Sequence, residues 1–273
     1  MIIISIRKWQ QFEANVFNTL KKFETPFLQF QEGGSCDSTI PDIKVYKNNC
    51  FSQSLECKFS KSQGAQFVVL WENKNFKYSP LNRNPETLET KKIITLMNNS
   101  KEYFSKIFDP SENDSVVFDI DEETSAKHFI NYYSLKKTSY IISSNYLDRD
   151  FKIIPLKKIG QNFTLNAVYR IKRSGSRILP RCDYNIAKTK FKEKYNQDIS
   201  DLNNIIFMKD LTREECYFGD NKEYFLSLNE NNSYRVRKLS NTYNANVIFT
   251  LSLKENTLDS ISIENLIKNL KNE

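Results

Sequence analysis

The chain has 273 residues, 39% hydrophobic and 13% aromatic, which is enough to bury a core and too apolar for a disordered polypeptide. Lys and Arg outnumber Asp and Glu by 40 to 33, so the net charge is +7 with a pI near 9.0, a balance that favours a polyanionic partner such as nucleic acid or an anionic membrane. Five cysteines (36, 50, 57, 182, 216) form no CxxC pair, and Met1 to Ile4 is too short for a signal h-region or a membrane span; the expectation is a soluble cytoplasmic protein with reduced thiols.

Along the chain, 7–23 carries Trp9, Phe12, Val16, Phe17, Leu20 and Phe23 at helical spacing. Glu13 lies four residues from both Trp9 and Phe17, on or beside that apolar stripe. A carboxylate there is costly unless paired or bound to a metal; a boundary salt bridge is the plainer alternative. Gly33-Gly34 reads as a turn and not as a nucleotide loop.

The next stretch organises the rest. Pro41-Asp42 is followed after thirteen residues by Glu56-Cys57-Lys58, and the residues between alternate like a hairpin turning at Lys47-Asn48-Asn49. Period two sends Glu56 and Lys58 to one face and Leu55, Cys57 and Phe59 to the other. Two carboxylates and an ammonium that converge this way suit Mg²⁺, which takes hard oxygen ligands and few protein carboxylates. Such an ion polarises a phosphoryl oxygen and acidifies water, while Lys58 orients or deprotonates that water. The alternative is a surface hairpin with a solvated Glu/Lys pair. Beyond it, Ser60, Gln63, Gly64 and Gln66 put small and amide side chains where a phosphate strand could approach.

A strand is expected at 66–71, and a helix after Pro85 with Leu88, Ile93, Leu96, Met97, Tyr103, Phe104 and Ile107 as its packing face. The polar break 109–114 marks a boundary. A strand at 116–120, a helix at 122–136 with Phe129, Ile130 and Tyr133 inward, and strands at 139–143, 151–154 and 166–172 follow. His128, without a partner at ligand spacing, reads as a surface or packing residue. The most basic stretch runs from Tyr169 to Arg177. It offers Arg170, Lys172, Arg173, Ser174, Ser176 and Arg177, groups able to reach guanine edges and phosphates, or else a solvated charged face. The last third has a helix at 187–195, strands at 205–208, 223–228, 234–239 and 247–253, and a helix at 263–270. Between two of these strands lies an asparagine-rich link holding Asn241, Asn244 and Asn246, either a DNA contact or a plain turn. No glycine-rich phosphate loop supports ATP dependence.

Asp42, Glu56 and Lys58 in this spacing resemble the PD-(D/E)xK nuclease superfamily. Within it GSCDSTIPDI (34–43), LECKFSKSQGAQFVVL (55–70), YRIKRSGSR (169–177) and LSNTYNANVIFTLSLK (239–254) resemble, in order, the HhaI-like type II restriction endonucleases. The resemblance implies an α/β (α+β) fold with a restriction-endonuclease-like core on a mixed β-sheet, followed by two smaller α+β DNA-binding regions. The regions are expected at 1–108 (catalytic), 109–181 (sequence recognition) and 182–273 (further DNA binding). It also implies Mg²⁺-dependent cleavage of double-stranded DNA at GCGC by a monomer, with a cognate cytosine methyltransferase in the same system. Asp42, Glu56 and the carbonyl of Cys57 would then hold Mg²⁺, and Glu13 would support the attacking water. Products would carry 5′-phosphate and 3′-hydroxyl ends. Two other readings are a structure-selective or repair nuclease with the same core, and a DNA-binding module whose nuclease core is inactive.

Overall fold

The computed structural model describes residues 8–33, 40–105, 115–175, 179–208, 211–212, 214–229, 233–257 and 259–272; the side chains of 105, 172–175 and 240–244 lie outside that description. In chain order the elements are α1 (Lys8–Lys21), β1 (Leu28–Glu32), β2 (Ile43–Lys47), β3 (Cys50–Phe59), β4 (Ser62–Glu72), β5 (Asn75–Tyr78), α2 (Leu88–Asn99), α3 (Lys101–Ser105), β6 (Ser115–Phe118), α4 (Glu122–Ser134), β7 (Thr138–Ser144) and β8 (Lys152–Pro155). Then come α5 (Ile159–Asn162), β9 (Phe163–Gly175), α6 (Tyr184–Tyr195), β10 (Tyr217–Phe218), β11 (Tyr224–Leu228), β12 (Tyr234–Leu253) and α7 (Ile263–Asn272). The fold is mixed α+β.

Two compact units divide the described residues: one up to Arg170 together with the stretch from Ala245 onward, and the other Ile171–Asn244. This differs from three consecutive regions. The physical reason is that the sheet begun by β1, β2 and β3 is finished by β7 and β8, and its core is closed by α7. A segment ending at 108 would lack all three.

That sheet has the order β1-β2-β3-β7-β8, with β3 and β7 parallel and the other neighbours antiparallel. The β2–β3 hairpin turns at Asn48 and Asn49, both at positive φ (49° and 64°), the left-handed pair that a two-residue hairpin turn requires. One face buries Ile43, Val45, Leu55 and Cys57 against Phe12, Val16 and Leu20 of α1 and Leu266, Ile267 and Leu270 of α7. Helix α1 thus presents the stripe expected from its spacing.

In the same unit β4 pairs with β5 and with the carboxyl half of β12. The β4–β12 register slips at Gly64, and the bulge brings the Gly64 carbonyl to the Tyr133 hydroxyl, which donates to it at 2.7 Å. A Cβ on Gly64 would stand 2.4 Å from the Phe129 ring and 2.5 Å from Leu251. Thr87 caps α2 in a capping box with Thr90, and Asp121 caps α4 by accepting from the Thr124 N–H at 2.7 Å.

In the second unit, Ala187 and Phe191 of α6 pack with Leu202, Ile205, Phe218, Tyr224, Leu226 and Val236. Several expectations are corrected. The link at 238–246 is no break, because β12 runs unbroken through it; strand 205–208 reduces to a single bridge, Ile205 to Tyr234. On α2 and α3, Ile93, Met97 and Phe104 are buried as expected, but Leu88, Leu96 and Tyr103 are exposed and Ile94 takes a core place instead. Ile107 lies outside the described residues. No helix among the described residues is long and apolar enough to cross a membrane.

Candidate active site

Asp42 stands just before β2 and Glu56 and Lys58 lie on β3, and the hairpin register brings the three together. Ile43 pairs with Leu55, so the residue before Ile43 and the residue after Leu55 face each other on the opposite side of the sheet from the core. Asp42 is fixed from two directions. Its Oδ2 accepts from the Cys57 N–H at 2.8 Å and from Lys58 Nζ at 3.3 Å. Its carbonyl accepts from the Gly33 N–H at 2.8 Å, and a Cβ on Gly33 would overlap the Pro41 carbonyl oxygen at 1.6 Å, so this approach requires glycine.

Glu56 is 3% exposed. Its Oε1 meets Lys58 Nζ at 2.8 Å and a second ammonium, Lys136 Nζ, at 3.4 Å. Lys136 follows the end of α4 and lies over the Tyr132 and Tyr133 rings, 5.3 and 5.2 Å from their centroids. The turn that carries it is tied to β3, since Ser54 Oγ donates to the Lys136 carbonyl at 2.8 Å. Ser143 of β7 donates to the Lys58 carbonyl at 2.6 Å. Nothing in the sequence pattern pointed to Lys136 or Ser143, because both arrive through the parallel β3–β7 pairing.

Both cations crowd Oε1, and Glu56 Oε2 is buried with no hydrogen-bond partner among the described residues. Burial raises the Glu56 pKa first, and the Asp42 charge adds to this, against Lys58 and Lys136. Glu13, half-buried on α1, is pushed up to about 8, first by burial and then by Asp42, with Lys58 opposing. For Lys58, burial works against the charge, but Asp42 and Glu56 outweigh it and hold the pKa well above the ordinary lysine range. The Cys57 thiol is pushed up by burial.

These features fit the hard divalent ion expected from the sequence. A buried carboxylate oxygen is left for a ligand, and Glu13 is raised by the Asp42 and Glu56 charges in addition to its burial. Among the described residues no group of three or more His, Cys, Asp or Glu side chains is gathered for a metal. Two carboxylates and a main-chain carbonyl are the sparse set that Mg²⁺ uses.

The expected DNA contacts are placed unevenly. Gln63 and Gln66 are exposed on β4, and Gln63 Nε2 donates to Gln66 Oε1 at 2.9 Å. Ser60 Oγ accepts from the Leu253 N–H at 3.4 Å. Arg170 is half-buried on β9 opposite Ser115, and Asn246 is half-buried on β12 opposite Val68. Lys172, Arg173 and Ser174 lie on β9, and Asn241 and Asn244 on β12, but their side chains are outside the description. Ser176 and Arg177 fall outside the described residues altogether. His128 is a packing residue: it is buried, with its ring 4.5 Å from that of Phe249.

No family model matches the chain, and no curated protein does. Among solved structures, HhaI endonuclease in complex with DNA matches with a TM-score of 0.70 and 29% identity, covering 97% of this chain and 96% of that one. The likeness runs through both units, and the chain is HhaI-like over almost its whole length.

Proposed function

We propose, from its likeness to HhaI endonuclease, that this chain is a type II restriction endonuclease that hydrolyses phosphodiester bonds in double-stranded DNA, at GCGC, as a monomer alongside a cognate cytosine methyltransferase. The observation that carries the reading is the convergence of Asp42, Glu56 and Lys58 beside a buried, unpartnered Glu56 Oε2, within that fold.

Asp42, Glu56 and the Cys57 carbonyl would hold Mg²⁺, which when bound supplies Lewis-acid stabilisation of charge at phosphorus and acidifies water. Lys58, kept cationic by its two carboxylate neighbours, donates hydrogen bonds that orient the attacking water and the phosphoryl oxygen. Glu13, whose carboxyl interacts with Asp42, Lys58 and Glu56, would support the attacking water. The water oxygen bonds to phosphorus in line with the departing O3′, that P–O bond breaks, and the O3′ gains a proton. The products are a 5′-phosphate and a 3′-hydroxyl. A site made only of G·C pairs calls for Arg or Lys on guanine O6 and N7, and the stretch from Arg170 to Arg177 supplies them; each good bidentate contact gives about 1–3 kcal/mol of discrimination.

Plasmid DNA digested with Mg²⁺ and sequenced at its fragment ends tests this. Discrete ends within one tetranucleotide, GCGC, are expected, and none in EDTA. Smeared products or cuts only at junctions would assign the core to a structure-selective or repair nuclease. Absence of cutting with duplex binding intact would make it a binding module.

A further inference from the structure

The face that bears Asp42 and Glu56 continues past them. Lys44 pairs with Ser54 and Tyr46 with Phe51, so Asp42, Lys44 and Tyr46 look out on the same side as Ser54, Glu56 and Lys58. Beside the carboxylates this face opens into a cavity of about 360 Å³ whose lining includes Pro41, Lys44, Tyr46, Phe51, Lys136 and Lys137, and no carboxylate. Pro41 adjoins Asp42, and Lys136 reaches Glu56, so the cavity shares a wall with the candidate catalytic cluster.

Its three ammoniums are differently engaged. Lys136 is taken up by Glu56, whereas Lys44 and Lys137 form no ion pair among the described residues. Lys137 is held by backbone, since its φ is +54° and its carbonyl accepts from the Ser54 N–H at 2.9 Å. Its ammonium lies 5.5 Å from the centre of the Phe51 ring, which is 40% exposed and stands edge-on to Tyr46. The result is a cationic and aromatic recess on a rigid hairpin. A DNA strand carries a negative charge about every 3.4 Å along the helix axis, so a strand with one phosphate at the carboxylates must lay others over the adjoining surface.

We propose that this recess seats the sugar–phosphate backbone next to the scissile phosphate, with Lys44 and Lys137 on neighbouring phosphates and Phe51 against the sugar. The assignment rests on the nuclease reading above and adds contacts that the sequence did not mark.

The test is duplex binding by fluorescence anisotropy across a salt series, with Ca²⁺ replacing Mg²⁺, for wild type, Lys44→Ala/Lys137→Ala, the corresponding Arg pair, and Lys268→Ala on the exposed side of α7. Losing two phosphate contacts should lower the slope of log K against log salt by about 1.8. Cognate and mismatched duplexes should weaken alike, because backbone contacts carry no sequence information. The Arg pair should restore the slope, and Lys268→Ala should leave it at the wild-type value. An unchanged slope and affinity in the double Ala variant of a protein that binds duplex would overturn the recess alone. Loss confined to the cognate duplex would also overturn it, making these lysines base readers. A wild-type protein that binds no duplex would remove the recess and the nuclease reading together.

Discussion

Glu56 is buried yet surrounded by charge, and the consequences can be measured residue by residue. Lys58→Ala leaves Asp42 and Glu56 facing each other with one cation fewer and no donor for the water. Cleavage should fall by on the order of 10²–10³-fold or more while duplex binding persists; single-turnover rates near wild type would reject the assigned site. Glu13 has a folded pKa near 8 against an ordinary 4.5, so the native state holds a proton that the unfolded state lacks between those values. Stability of the metal-free protein should therefore fall as pH rises across that window. Glu13→Gln should flatten the decline in urea melts at pH 5 and pH 8.5, and an undiminished slope would mean Glu13 ionises normally. His128 has the opposite sign. Burial lowers its pKa from 6.5 to about 4, and neither ring nitrogen has a hydrogen-bond partner among the described residues, so its contribution is lost as pH falls from 6.5 toward 4. That shift corresponds to about 3 kcal/mol, which His128→Phe should recover in part at pH 4.5. Asp42, Glu56 and Lys58 were legible because strand periodicity alone fixes their face. Lys136 was not, because it reaches Glu56 from a residue 80 positions away along the chain.

Elements were legible where their pattern was local and illegible where a partner decided. Helix α1 and the β2–β3 hairpin follow from apolar spacing and a two-asparagine turn. The asparagine-rich stretch near 241–246 reads as a break, yet Ala245 and Asn246 pair with Val69 and Val68, and a neighbouring strand overrides weak strand propensity. Leu88 and Leu96 look like core positions on a helical wheel but are exposed, because only one side of α2 meets the rest of the unit, through Ile93, Ile94 and Met97. At the β4 bulge, Gly64→Ala forces a methyl into Phe129 and Leu251 and strains the tie to Tyr133. A loss of about 1–3 kcal/mol is expected by chemical denaturation. A neutral result would show that the bulge relaxes freely.

At the scale of the molecule, composition and charge announced a folded protein with a polyanionic partner, but not how the chain closes on itself. Helix α7 buries Leu266, Ile267 and Leu270 in the core behind the candidate catalytic sheet. Removing residues 256–273 withdraws about 5–9 kcal/mol of apolar burial, comparable to the whole stability of a typical domain. The truncated chain should lose its cooperative melt and all cutting; a folded, active truncation would show that α7 is dispensable. The parallel strand beside Glu56 is translated some eighty residues after it, and α7 later still. A ribosome must therefore deliver α7, more than two hundred residues after Asp42, before the core behind the acidic cluster can close. On the nuclease reading proposed above, a nascent chain that has not yet released α7 should hold no cutting activity, because the core behind the site is still open.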